Sequence, residues 1–367
     1  MAGLAMASRN GDPSADDSRE GAVAVLMILS LFAILLLVLL LPFLAKKIEE
    51  NLEPFLFAMG VAAVSVSGQW AWGLVAESLL EPIKITVAVL VAGLLFRAFR
   101  SAARRCVEAA VSVLGVRAFA FFVVVLLGLA SSAITAIIAA LLLVEVIDRL
   151  RLDRKDEIRL VVIACFAIGM GAVLTPLGEP LSTIVVAKLR GEPYNASFWF
   201  LFEAFGRFVV PGVIGFGALA AIAVKRRPEG GSLREDRAEG VLDILLRAAK
   251  TYVFVAALVL LGTGFKPIID EYVSKAPGWG LFWINSLSAI LDNATLAAAE
   301  VGPSMSRSQL EFSLMGLIVA GGMLIPGNIP NIVSSGKLGI RSKEWMRAGA
   351  PIGACAMLIY FAILVAF

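Results

Sequence analysis

Leu174-Thr175-Pro176-Leu177-Gly178-Glu179-Pro180-Leu181-Ser182-Thr183 stands in the middle of a long apolar segment. Pro176 and Pro180 flank a glycine and a carboxylate, so a helix must break there. In lipid, unwound backbone is tolerated only where protein or a wet cavity covers it, and a glutamate at that depth is costly. A proline kink with Glu179 paired to a neighbouring helix would account for this stretch on its own. It has a partner, however. Leu324-Ile325-Pro326-Gly327-Asn328-Ile329-Pro330-Asn331-Ile332-Val333 repeats the order of proline, glycine, polar residue and proline, with Asn328 in the place of Glu179. Paired interruptions in the two halves of an apolar chain point to the binding site of a transporter.

Composition sets the same frame. A 367-residue chain that is 59% hydrophobic, with mean hydropathy +0.89, reads as an all-α polytopic membrane protein rather than a soluble globule. At about 20 residues per crossing, the apolar runs supply roughly eight to ten membrane segments. The net charge is only +3, and the basic residues cluster in loops. That pattern reads as topology, with the bilayer as partner and no nucleic acid. Histidine is absent, so any proton relay must use carboxylates. Cys106, Cys165 and Cys355 stand far apart and read as helix-packing residues, not a metal or redox set. Without a nucleophile elbow or metal cluster, no enzyme and no cofactor is expected.

Along the chain, residues 1–20 are polar and expected to be disordered. Residues 21–82 hold two scaffold helices, the first read as a retained transmembrane helix and not a signal peptide. Residues 83–227 form a first repeat, opening with a short span over 83–95 and an interfacial amphipathic piece over 101–114. Residues 116–147 are almost purely apolar, yet arginines and a lysine flank both ends. Both ends therefore read as cytoplasmic, and the run as a re-entrant hairpin with its tip at Ala130-Ser131-Ser132-Ala133-Ile134-Thr135. The broken helix follows over 158–189. Residues 228–239 are a cytoplasmic linker. Residues 240–367 repeat the order, with a hairpin at 279–301 and a broken helix at 310–336. The second copy enters from the opposite side, which makes an inverted-topology repeat.

Two intramembrane carboxylates stand out, Glu179 and Asp292. Asn328 matches Glu179, and Ser131-Ser132 roughly match Asp292-Asn293. No lysine or arginine occurs at the tips or breaks, so the chemistry favours a small cation, a proton or both in exchange. The candidate ligands are Asp292, Asn293 and Thr295 on one side. Ser131, Ser132, Thr135, Thr175, Gly178 and Glu179 lie on the other, with Gly327, Asn328 and Asn331 closing the site. A Na⁺ site at Asp292, Asn293, Thr295 and Glu179 is expected, with Glu179 and Asp292 carrying protons in competition with the cation. The hydroxyls of Thr135 and Ser182 have an alternative use in bonding the preceding helical turn. Asp292-Asn293 have one in capping a helix. Glu145 and Glu300 sit late in the two hairpins as caps or access-path residues. Glu203 and Arg207, four apart, read as an ion pair, and Gly169, Gly171, Gly212, Gly215 and Gly217 as close helix contacts.

Taken together, these residues resemble the ion transporter superfamily of arsenite permeases, dicarboxylate transporters and sodium/proton antiporters. Thr175-Pro176-Leu177-Gly178-Glu179-Pro180, Ser288-Ala289-Ile290-Leu291-Asp292-Asn293-Ala294-Thr295 and Pro326-Gly327-Asn328-Ile329-Pro330-Asn331 carry the likeness. They look most like an uncharacterised prokaryotic family regarded as cation transporters. The resemblance implies an inner-membrane homodimer, an elevator motion of a hairpin-bearing domain, and Na⁺ at the tips and breaks. The dicarboxylate branch carries Ser-Asn-Thr at both tips. This chain has Ser132-Ala133-Ile134-Thr135 and Asp292-Asn293-Ala294-Thr295 instead. Cation/proton antiport is therefore expected, with Na⁺- or H⁺-coupled transport of a dicarboxylate or oxyanion as the alternative.

Overall fold

The structure is a computed structural model that describes residues 13–49, 51–150, 152–224, 241–268, 271, 276–291 and 293–366. Among them every regular element is helical. The order is α1 (Pro13–Leu44), α2 (Lys46–Glu49), α3 (Leu52–Ser67), α4 (Trp72–Ile134), α5 (Ala136–Leu150), α6 (Arg154–Ala172) and α7 (Pro180–Lys188). Then come α8 (Phe200–Ala223), α9 (Val241–Ile268), α10 (Gly278–Ile284), α11 (Asn293–Glu300), α12 (Arg307–Ala320), α13 (Ile329–Leu338) and α14 (Ser342–Ala366).

Among the described residues, five helical stretches are long and apolar enough to cross a membrane: Val23–Pro42, Ala109–Ile134, Phe200–Ala223, Ile244–Ile268 and Ser342–Ala366. Their outer faces carry Leu26, Leu126, Ile222, Leu358 and Val365, each more than half exposed. Water penalises such faces and lipid does not, so the chain is a membrane protein. The count falls below eight to ten because several apolar runs are interrupted and fold as short helices, among them α7, α10, α11 and α13.

Several expected boundaries move. Helix α1 begins at Pro13, so residues 13–20 are helical, while residues 1–12 and the linker 228–239 lie outside the described residues. The separate pieces expected over 83–95 and 101–114 are one continuous helix. It turns only at Gly115, whose φ of 73° and ψ of 157° suit glycine alone. After this turn the helix runs to Ile134, breaks at Thr135 and continues as α5, which packs against α4. Helix α3 lies hard against α9. A Cβ on Gly60 would meet Leu260 at 2.8 Å, and one on Gly264 would meet Ala63 at 2.5 Å.

The core is built on α6 and α12, which are buried along almost their whole length. Each starts with a proper cap. The Asp153 side chain accepts from the Asp156 amide at 2.9 Å. Ser306 and Gln309 cap each other's backbone in a reciprocal box. Each ends in a chain break, α6 before residues 173–179 and α12 before residues 321–328. The segments beyond the breaks then pack crosswise: α13 against α5, and α7 against α11. Arg154, at the start of α6, binds the carbonyls of Leu338 and Gly339 at 3.0 and 2.8 Å, where a guanidinium suits the negative end of α13. Lys188, at the end of α7, reaches the Val301 carbonyl just beyond α11 at 3.1 Å.

Candidate functional site

The first break is closed against the α4–α5 tip by backbone. The amide of Ala136, the first residue of α5, donates to the Gly178 carbonyl at 2.8 Å. The Thr175 hydroxyl donates to the Ser132 carbonyl and accepts from the Leu177 amide. Gly178 is obligatory here: a Cβ would lie 1.9 Å from the Ala172 carbonyl oxygen. Glu179 follows in extended conformation at the N-terminus of α7, with its side chain only 6% exposed.

The second break has the same construction. Gly327 is jammed between carbonyls, its Cβ position 2.5 Å from Gly321 O and 2.6 Å from Ser288 O. Asn328 follows as the N-cap of α13, with φ −157° and ψ 147°, against −157° and 163° for Glu179. Its side chain lies over α6, where a Cβ on Gly169 would meet Asn328 Nδ2 at 2.3 Å. Asn331 is fully buried and donates to the carbonyls of Gly321 and Leu324, both at 2.8 Å. Those two acceptors fix the amide's orientation, so Oδ1 is a genuine acceptor. It is buried with no hydrogen-bond donor against it among the described residues. A buried acceptor without a donor costs on the order of 1–3 kcal/mol and suits a ligand that brings positive charge.

Near the α4 break, the Ser131 hydroxyl shares its one proton between the Gly128 carbonyl of its own helix and the Ile168 carbonyl of α6, at 2.6 and 2.9 Å. Ser288 donates to the Leu317 carbonyl of α12 at 2.8 Å. Ile168 precedes Gly178 by ten residues, and Leu317 precedes Gly327 by ten. Ser131 therefore corresponds to Ser288, which corrects the rough match of Ser131-Ser132 to Asp292-Asn293. In the corrected register Thr135 corresponds to Asp292, and Ala136 to Asn293. Thr135 is a β-branched residue at φ 76°, a conformation that costs about 1–3 kcal/mol. Its hydroxyl accepts from the Ile138 amide and caps α5, rather than bonding back to the preceding turn. The Ser182 hydroxyl does bond back, to the Glu179 carbonyl at 2.7 Å. The Ser132 hydroxyl is held by the Leu129 carbonyl of its own helix.

Asp292 lies outside the described residues, as does the side chain of Thr295. Asn293, the first residue of α11, is buried, and its side-chain Nδ2 has no hydrogen-bond partner among the described residues. The structure thus gathers Ser131, Ser132, Thr135, Thr175 and Gly178 at one junction, and joins Gly327 to the Ser288 tip. Asn328 crosses from the second break to α6, and α11 and α7 bring the helices of Asn293 and Glu179 together.

Other expectations sort in the same way. Arg207 pairs with Glu311 on α12 at 3.0 Å, not with Glu203, because α12 offers a less exposed carboxylate. Glu145 pairs with Arg149 and Lys337. Glu300 is in a different setting, buried beside Asn285 and Ser313. Cys165 is a buried packing residue whose thiol rests near Pro330 and Ser334. Gly169, Gly171, Gly212 and Gly217 are close contacts, whereas Gly215 faces open space. The sequence reading missed Ser288 as a tip residue. Its spacing of four before Asp292, the same as Ser131 before Thr135, was the available signal.

A family model described as a protein of unknown function, DUF1646, matches residues 28–367, and the chain belongs to that family. No curated protein matches the chain.

Proposed function

We propose that this member of the DUF1646 family is a secondary active transporter of the inner membrane that exchanges a small cation, Na⁺ foremost, for protons. The observation that carries the reading is the pair of glycine-locked breaks. Two core helices stop at matched places, and each is followed by a buried polar residue in the same extended conformation, Glu179 in one and Asn328 in the other. Helices broken inside a buried core free backbone carbonyls, and here one break carries a buried carboxylate and the other an Asn331 oxygen that has no hydrogen-bond partner among the described residues. That is a ligand set for a hard cation. Glu179 would take either the cation or a proton, and this competition alone couples the two fluxes. Asp292, in register with the strained Thr135, would supply the second carboxylate from the other tip. The crosswise packing of α5 on α13 and α7 on α11 supports an inverted repeat with two re-entrant hairpins. Such a unit would move as an elevator against a dimeric scaffold that includes α3 and α9.

The alternative is a coupled carrier of a dicarboxylate or oxyanion. It draws on the N-termini of α7 and α13 at the breaks and on the unpartnered amide nitrogen of Asn293, all suited to negative charge.

The test is exchange in liposomes holding an inside-acid pH gradient, followed with a pH dye while Na⁺, Li⁺ or K⁺ is added outside. Cation-specific collapse of the gradient, lost in Glu179→Gln and in Asp292→Asn, is expected. Wild-type rates in both variants would sink the antiporter. A gradient indifferent to every cation, with uptake of a labelled dicarboxylate or oxyanion, would establish the alternative.

A further inference from the structure

Behind the second tip lies a polar cluster that the proposed exchange does not use. Asn285 and Ser313 are fully buried, and Glu300 is 7% exposed. Asn285 Nδ2 donates to Glu300 Oε2 at 2.9 Å and to the Ser313 carbonyl at 3.0 Å. Ser313 Oγ donates to the same Glu300 oxygen at 2.9 Å. Because Nδ2 faces two acceptors, the Asn285 amide has one possible orientation, and its Oδ1 is an acceptor. Among the described residues, Asn285 Oδ1 and Glu300 Oε1, both buried, have no hydrogen-bond partner.

Both orphans are oxygens, and one belongs to a carboxyl group. Among the described residues no lysine or arginine forms an ion pair with Glu300. The charged residues with described side chains on the elements packed against α11 are Lys188 on α7, Lys250 and Lys266 on α9, and Arg307 and Glu311 on α12. Lys188 meets the Val301 carbonyl, Lys250 meets Glu53, and Arg307 meets Glu311, which also takes Arg207. Glu300 is the last residue of α11, and Asn285 opens a short 3-10 turn, Asn285–Ala289, that carries on from α10. Close packing holds it in place: a Cβ on Gly316 would lie 2.7 Å from the Phe282 carbonyl and 3.1 Å from Asn285 Cβ.

We propose that Glu300, Asn285 and Ser313 form a binding site for one small monovalent cation, with Glu300 Oε1 and Asn285 Oδ1 as ligands and Ser313 holding the carboxylate in position. It is separate from the site at the breaks. Glu300 and Asn293 stand at opposite ends of α11, about 10 Å apart along its axis. A buried carboxylate without a counter-charge is strongly unfavourable, and a bound cation supplies the missing charge while satisfying both orphaned oxygens.

Binding of radiolabelled Na⁺ to the purified full chain tests this, with Li⁺ and K⁺ as competitors. Glu300→Gln should lower the bound Na⁺ by one per chain, and Glu179→Gln should leave that ion in place. Ser313→Ala should weaken this site about tenfold, the loss typical when a group orienting a ligand is removed. It also serves as the test if Glu300→Gln fails to fold. Na⁺ binding in Glu300→Gln or in Ser313→Ala indistinguishable from wild type would overturn the site, as would a wild-type chain that binds none of the three cations. Failure of the exchange reading looks different: Glu179→Gln would then exchange and bind like wild type, whatever Glu300→Gln does.

Discussion

Gly178→Ala tests the junction on which the functional reading rests. A Cβ at this position would stand 1.9 Å from the Ala172 carbonyl oxygen, where real Cβ contacts essentially never fall below 3.0 Å. The obstacle is backbone, so no side chain can swing away, and the break must shift by at least 1.1 Å relative to the end of α6. Overpacking of this kind costs about 1–3 kcal/mol. The shift also strains the bond from the Ala136 amide to the Gly178 carbonyl, worth about 0.5–1.5 kcal/mol. Together they predict a loss of about 2–4 kcal/mol, and a fall in the unfolding midpoint on the order of 5 °C. The assay is thermal unfolding in detergent, followed by tryptophan fluorescence at one scan rate because membrane proteins often unfold irreversibly. Gly215→Ala is the control. It sits inside α8 with nothing within 4 Å of its Cβ position, so alanine should be neutral or stabilise by up to about 1 kcal/mol. If Gly178→Ala unfolds at the same temperature as Gly215→Ala, the break does not pack on α6 as described, and the argument built on it falls.

Three further outcomes follow from the same geometry. Asn331→Asp replaces a donor to two buried carbonyls with an acceptor, and should cost about 2–4 kcal/mol in the same unfolding assay. Ser306→Ala removes one half of the cap on α12 and should cost about 1 kcal/mol, with Ser306→Asp restoring most of it. A double-mutant cycle should find Arg207 coupled to Glu311 and not to Glu203. The coupling should stay below about 1 kcal/mol and shrink with added salt, because both arginines that meet Glu311 are more than half exposed.

Much of this protein is written locally. Pro176, Gly178 and Pro180, or Pro326, Gly327 and Pro330, stop a helix through their own covalent geometry, whatever surrounds them. The apolar runs state that the chain belongs in a membrane, and the two proline-glycine interruptions mark where helices stop. The helix break near Ser131–Thr135 could also be read, since that was the only polar cluster in its run and α4 ends at Ile134. What could not be read locally depends on residues far apart in sequence. The counterpart of Ser131 is Ser288 because each reaches a carbonyl ten residues before its glycine, a relation that exists only once α6 and α12 lie against the tips. Arg207 chose Glu311 over the nearer Glu203 because helix packing, not spacing, decided which carboxylate was within reach and less exposed to water. Asn285, Ser313 and Glu300 look like scattered polar residues along the chain. Only the close approach of α10 and α12 at Gly316 brings them together, because a buried carboxylate takes its character from the groups that replace water around it.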